Sequence, residues 1–131
     1  MNKTFRYSLI VAATLLALAF SALRMTPTSA ASEDDFVITV KTDNPGTSTN
    51  TQFTIPTFGG GYDYNVDCND DGTDEATGQT GNYTCDYAAP GIYTIRIKDN
   101  TGARTGFPRI YFNNGGDAQK LINIEQWGTG K

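Results

Sequence analysis

Two cysteines set the tightest limit on what this 131-residue chain can fold into. Cys68 and Cys85 both lie in the stretch Tyr62 to Ile97, YDYNVDCNDDGTDEATGQTGNYTCDYAAPGIYTIRI, inside runs where apolar and polar residues alternate. Strand parity puts Tyr62, Tyr64, Val66 and Cys68 on one face, and Tyr83, Cys85 and Tyr87 together on another. Both thiols therefore belong to inward sets, on strands flanking a long polar connection. A bridge between them closes a loop of about 18 residues, which the chain-entropy model values at about 3 kcal/mol. A zinc or redox pair fits less well, because the spacing is not C-x-x-C and the chain contains no histidine.

A disulfide needs an oxidising compartment, and the N-terminus supplies a route to one. Lys3 and Arg6 precede the uncharged run Tyr7 to Leu23, and Thr28, Ser29, Ala30 and Ala31 follow as small residues of the kind a signal peptidase accepts. Residues 1–31 are read as a signal-peptide helix, and the chain as exported to the periplasm, the cell surface or the medium. The rival reading is an uncleaved membrane anchor; Pro27 and the small residues favour cleavage. No cysteine stands near the junction to carry a lipid. Without the signal, seven basic residues face fourteen acidic ones, a net charge of −7. Such a surface repels phosphate backbones and anionic headgroups, so nucleic acid and anionic membrane are poor partners.

Strand patterns fill the rest. Phe36 to Thr42 alternates, with Phe36, Ile38 and Val40 on one face, and ends at the turn Asp43-Asn44-Pro45-Gly46. Thr51 to Pro56 turns Phe53 and Ile55 inward. Tyr62 to Cys68 follows the three glycines 59–61, and Asn69 to Gly81 reads as a long hairpin connection with one short edge strand inside it. After Pro90-Gly91, Ile92 to Lys98 places Tyr93, Ile95 and Ile97 inward. Phe107 to Asn113 is expected to be a further strand, with Pro108 at its start. Six or seven short strands with turn chemistry between them, and no amphipathic helix, predict an all-β, immunoglobulin-like antiparallel sandwich over residues 32–113. Residues 114–131 are expected to form a separate C-terminal extension, opening with a helical turn before Leu121, Ile122, Ile124 and Trp127.

The Tyr64-x-Val66-Asp67-x-x-x-Asp71-Gly72-Thr73 run, with Tyr87-Ala-Ala-Pro-Gly91-Ile-Tyr93-Thr-Ile95, resembles the polycystic-kidney-disease (PKD) repeat. That repeat is marked by a W-G-D-G-T turn followed by an H-x-Y-x-x-x-G-x-Y-x-V strand. Cys68 stands where the family usually has Trp and Cys85 where it usually has His, so the resemblance implies a disulfide in place of a buried aromatic contact. Lys41 to Ser48 and Phe107 to Gly128, FPRIYFNNGGDAQKLINIEQWG, are similar to the opening region of BspA-type leucine-rich-repeat surface proteins of bacteria. There a PKD-like domain follows the signal peptide and precedes the repeats. The resemblance implies a member truncated before its repeats, with a structural or adhesive role at a cell surface and with protein, matrix or glycan as partner.

One motif points to a ligand. Asp67, Asn69, Asp71 and Gly72 fit the opening of a calcium loop, D-x-N-x-D-G, with Glu75 at its ninth position; alternate oxygen ligands around a sharp glycine bend can wrap Ca2+. Against it, Gly78 occupies the position of the usual bidentate Glu, and Cys68 lies inside the loop. The competing reading is an acidic hairpin turn. No cofactor is expected, with Ca2+ the one ion the loop could take. No catalytic residue is assigned: there is no histidine, and the only serines after the signal are Ser32 and Ser48. The acids of the turn carry no feature that would raise a pKa. Tyr62, Tyr64, Tyr83, Tyr87, Tyr93 and Tyr111 are the residues a carbohydrate-binding platform would use, but their inward alternation makes most of them core residues with hydroxyls at the rim. Trp127 is the exception, either capping the sandwich or packing on a following repeat.

Overall fold

The structure, a computed structural model, describes residues 32–128. The expected signal segment, residues 1–31, lies outside the described residues. Among those described, no helix is long and apolar enough to cross a membrane.

The chain forms an antiparallel all-β sandwich. Seven strands run in order: β1 (Phe36–Lys41), β2 (Gln52–Ile55), β3 (Tyr64–Asp67), β4 (Ala76–Gln79), β5 (Tyr83–Asp86), β6 (Ile92–Asp99) and β7 (Leu121–Gln126). One sheet has five strands in the order β4-β3-β6-β1-β7, and the other has two, β2-β5. β4 is the edge strand expected inside the long connection. In the large sheet Ile38 stands opposite Ile95, and Val66 opposite Ile97. In the small sheet Phe53 stands opposite Cys85. These side chains are inaccessible to solvent or nearly so. Each fully buried Ile, Val or Phe contributes about 1.5–3 kcal/mol by leaving water, so the alternation seen in the sequence is what drives the two sheets together.

Three expectations are corrected. Phe107 to Asn113 is not a strand. Pro108 has no amide hydrogen to give a ladder, and the segment is instead held by its rings. Phe107 packs against Tyr64 (centroids 5.0 Å), Phe36 (5.6 Å) and Tyr62 (5.8 Å), while Phe112 meets Phe53 at 6.3 Å. Second, the sheet runs past residue 113. A 3-10 turn, Ala118–Lys120, supplies the expected helical turn, and β7 then pairs with β1 along its whole length, with two register shifts. The apolar residues Leu121 and Ile124, assigned to the extension, pack on the core. Third, alternation alone does not decide burial: Val37, between the inward Phe36 and Ile38, is buried, and so is Asp67 beside Val66. Val37 lies between its cross-strand partners Arg96 and Gln126, whose long side chains cover that face.

A two-stranded sheet leaves one edge of β2 unpaired, and polar side chains fill it. Asp117 accepts from the Thr54 amide (2.7 Å), the Ser48 amide (2.9 Å) and the Ser48 hydroxyl (2.5 Å). Lys120, wholly buried, directs its ammonium at the carbonyls of Thr49 (2.6 Å), Gln52 (2.9 Å) and Ser48 (3.0 Å), and at the Ser48 hydroxyl (2.9 Å). The two charges lie 4.0 Å apart. A buried ion pair is tolerable only when its remaining protons and lone pairs are satisfied, and here backbone groups satisfy them. Gly46 makes the approach possible: a Cβ there would sit 2.6 Å from both Asp117 Oδ1 and Lys120 Cε.

Candidate functional site: the crosslinked acidic turn

Cys68 follows the last residue of β3, and Cys85 lies in the middle of β5. The bridge between them, with Cα atoms 5.7 Å apart, therefore joins the large sheet to the small one. Both cysteines are buried. Tyr87 closes the site from below: its hydroxyl donates to the Cys68 carbonyl (2.7 Å), and its ring stacks on Tyr93 with centroids 3.7 Å apart. Burial, reinforced by the nearby Glu75 charge, pushes the Tyr87 phenol well above its ordinary range. It remains a neutral donor.

The connection that follows bends through Asp70 (φ 55°) and Gly72 (φ 90°). Its acids hold the bend. Asp67 accepts from the amides of Gly72 (2.8 Å) and Asp71 (3.1 Å), so a buried carboxylate on β3 ties down the loop leaving its own strand. Asn69 accepts from the Asp71 amide (3.3 Å) and donates to the Asp71 carboxylate (3.0 Å). Asp71 accepts from the Thr73 amide (2.8 Å). That bond, aided by Asn69, holds the Asp71 carboxyl below its ordinary range. Glu75 reaches back to the Cys68 amide (2.5 Å), fastening the loop's far end to the bridge.

Two cations on β6 complete the arrangement. Arg96 meets Asp70 (2.6 Å) and Asp35 (3.2 Å), and Lys98 meets Asp74 (2.7 Å) with Asp67 at 3.7 Å. The Asp70 hydrogen bond raises the Arg96 pKa further. For Lys98, burial works against the charge, but the hydrogen bond and charge of Asp74 outweigh it and the pKa rises. The acids of the turn are thus largely partnered. The fold selects these partners: Asp67 stands opposite Arg96 across β3 and β6, yet Arg96 turns to Asp70 and Asp35 while Lys98 approaches Asp67.

Of the four residues read as calcium ligands, the fold brings three together. One carboxylate oxygen each from Asp67, Asp71 and Glu75 lie within 4.8 Å of one another. Asn69 spends its side chain on Asp71. Among the described residues, no buried side-chain nitrogen or oxygen lacks a partner, so each buried carboxylate here has a structural role. Comparison of the chain with protein-family models, with curated proteins and with solved structures finds no match. The PKD-like and BspA-type resemblance rests on its sequence blocks alone.

Proposed function

We infer that this chain is a non-enzymatic exported module of a bacterial surface protein, PKD-like in type, serving as a structural or adhesive unit or as the cap of a following array. The observation that carries the reading is the Cys68–Cys85 bridge between the two sheets. A crosslink of this kind belongs to an oxidising compartment and stiffens a small core that works outside the cell. It agrees with the signal-like N-terminus. The partners that suit such a unit are protein, matrix or glycan, and the aromatic Trp127, 69% exposed beside β7, is one available contact.

Expression of the full chain in a bacterial host, followed by fractionation and intact-mass measurement, tests the reading. The expected product lies outside the cytoplasm, is shorter by about 30 residues and has thiols that react only after reduction. A cytoplasmic product with its N-terminus intact and free thiols overturns it.

A second reading, a Ca2+-binding module, is favoured by the convergence of Asp67, Asp71 and Glu75. Lys98 already stands 3.7 Å from Asp67, and an ion would have to compete with it. Calorimetric titration with Ca2+ decides: saturable binding that Asp71→Ala abolishes establishes the metal role, and a flat titration removes it.

A further inference from the structure

The outer face of the small sheet forms the floor of an open groove of about 560 Å³, lined by Ser48, Gln52, Thr54, Pro56, Asn82 and Thr84, with Asp117 at one wall. Apart from Asp117 the lining is uncharged and more apolar than polar, with the Thr54 and Thr84 hydroxyls bonded to each other (2.9 Å). The Asp117 carboxylate is already saturated by Ser48 and Thr54, so the groove itself offers neutral polar contacts. At its Pro56 end the chain rises into a pair of exposed rings. The Tyr111 amide donates to the Pro56 carbonyl (3.3 Å), the Thr57 amide donates to Asn82 (2.7 Å), and Phe58 follows directly. Phe58 and Tyr111 lie 5.0 Å apart and remain 60% and 39% exposed.

Arg109 stands over both rings, 5.9 Å from the Phe58 centroid and 5.8 Å from that of Tyr111, and donates weakly to the Phe58 carbonyl at 3.4 Å. Its charge sets it apart. Lys41, Arg96, Lys98, Arg104 and Lys120 each lie within 4.0 Å of a carboxylate. Among the described residues Arg109 is the one basic side chain with no such partner. In an acidic domain, an exposed guanidinium left unneutralised beside apolar rings is complementary to a ligand that brings its own carboxylate and an apolar face. A guanidinium holds a carboxylate through two parallel hydrogen bonds.

We propose that Arg109, Phe58 and Tyr111, with the adjoining groove, form a binding site for a glycan ending in a hexuronic acid residue. The apolar face of the pyranose rests on the rings, its carboxylate meets Arg109, and the hydroxyls of the next sugars run along Thr54, Thr84 and Asn82. The acidic surface opposes a dense polyanion but acts weakly beyond a Debye length of about 8 Å, so a single terminal carboxylate is the charge that fits. The site rests on the surface-module reading and names its partner.

The test uses the full chain purified with its bridge formed, titrated with a trisaccharide capped by glucuronic acid and with the same trisaccharide capped by glucose. The two probes differ only at C6, carboxylate against hydroxymethyl. The glucuronide is expected to bind about tenfold or more tightly, with the advantage shrinking as salt rises. Arg109→Gln is expected to remove the advantage, and Phe58→Ala to weaken both probes together; both positions are exposed, and an unchanged melting temperature checks the fold. Equal binding of the two probes, an advantage that survives Arg109→Gln, or no binding of either overturns the proposal. So does tighter binding of a peptide through its C-terminal carboxylate. Binding to purified protein is read without reference to export, so this site and the surface-module reading fail separately.

Discussion

Beside β5 the small sheet is fastened to the large one by a covalent bridge, while beside β2 it is held by one ammonium and one carboxylate. Both ties do the same mechanical job, since a two-stranded sheet has little stability of its own. They differ in what they depend on. The Cys68–Cys85 bond needs only an oxidising medium and two inward thiols. The Lys120–Asp117 clip needs a set of backbone groups brought to it: Lys120 reaches carbonyls 68 to 72 residues away in the chain. One tie restricts the unfolded chain, whereas the other exists only in the folded one.

The largest effect is expected from breaking the clip. Lys120→Met keeps the volume but leaves Asp117 buried without its counter-charge and takes a charged donor from three carbonyls, of which Thr49 and Gln52 keep a second donor. A loss of about 3–5 kcal/mol follows from removing one partner of a buried pair, to be read by urea unfolding with the bridge intact. A loss smaller than that of the bridge would reverse the ranking of the two ties. Replacing the bridge, Cys68→Ser with Cys85→Ser, is expected to cost about 3 kcal/mol. An unchanged melting temperature after that replacement would show the bond to be idle.

Gly46→Ala is expected to cost about 1–3 kcal/mol by overpacking, because the new methyl meets Lys120 and Asp117 at 2.6 Å. Combined with Lys120→Met its cost should shrink, as for residues sharing one contact; full additivity would place the strain elsewhere.

Acid gives a gentler separation. Burial pushes the Asp117 carboxyl up, but the hydrogen bonds from Ser48 and Thr54 outweigh it and the pKa lies below its ordinary value. Asp99, the last residue of β6, behaves alike: the Thr101 hydroxyl and the Gly106, Arg104 and Thr101 amides overcome burial and bring it from 3.8 to about 2. A carboxyl depressed by folding stabilises the native state above its unfolded pKa, and that contribution is lost as pH falls through the folded value. For Asp99 the window runs from about pH 4 to about pH 2. The bridge does not titrate. Hydrogen-exchange protection at the Ser48 and Thr54 amides should therefore fall in acid before that of Phe53 and Cys85, and a uniform loss would show the two ties act as one unit.

The smallest change is expected from Asp71→Ala, which removes an exposed carboxylate from the far side of the turn and should leave thermal melting nearly where it was. A large drop would mean that the turn, and not the bridge, holds β3 and β5 together.

Much of the bridged half was legible in advance. Cysteine announces its chemistry by type, and the alternation around Tyr64, Val66, Cys68, Cys85, Ile95 and Ile97 places each on its face. Asp67 was half legible, since it was read as an acid of the turn but its burial under Lys98 and the turn amides was not. The clip was not legible at all. A lysine and an aspartate three residues apart, beside Gln119, have the pattern of a solvated turn; what buries them is the loop carrying Gly46 and Ser48. The ring pair Phe58 and Tyr111 was equally hidden, because Phe107 to Asn113 was read as a strand, whereas Pro108 and the inward Phe107, Ile110 and Phe112 carry it from Tyr64 of the large sheet to Phe53 of the small one as an irregular segment.

The sequence by itself determined the period-two strands, their inward faces, the turns between them and the crosslink, because these depend on neighbours two to four residues apart and on side-chain type. Only the tertiary structure decided that β7 completes the large sheet, that Lys120 and Asp117 seal the edge of β2, and that, among the described residues, Arg109 stands without a carboxylate. Those outcomes are set by which distant backbone groups and charges meet. Local pattern carries no record of that, because a hydrogen bond or ion pair between remote residues gains its strength from the burial that the whole fold provides.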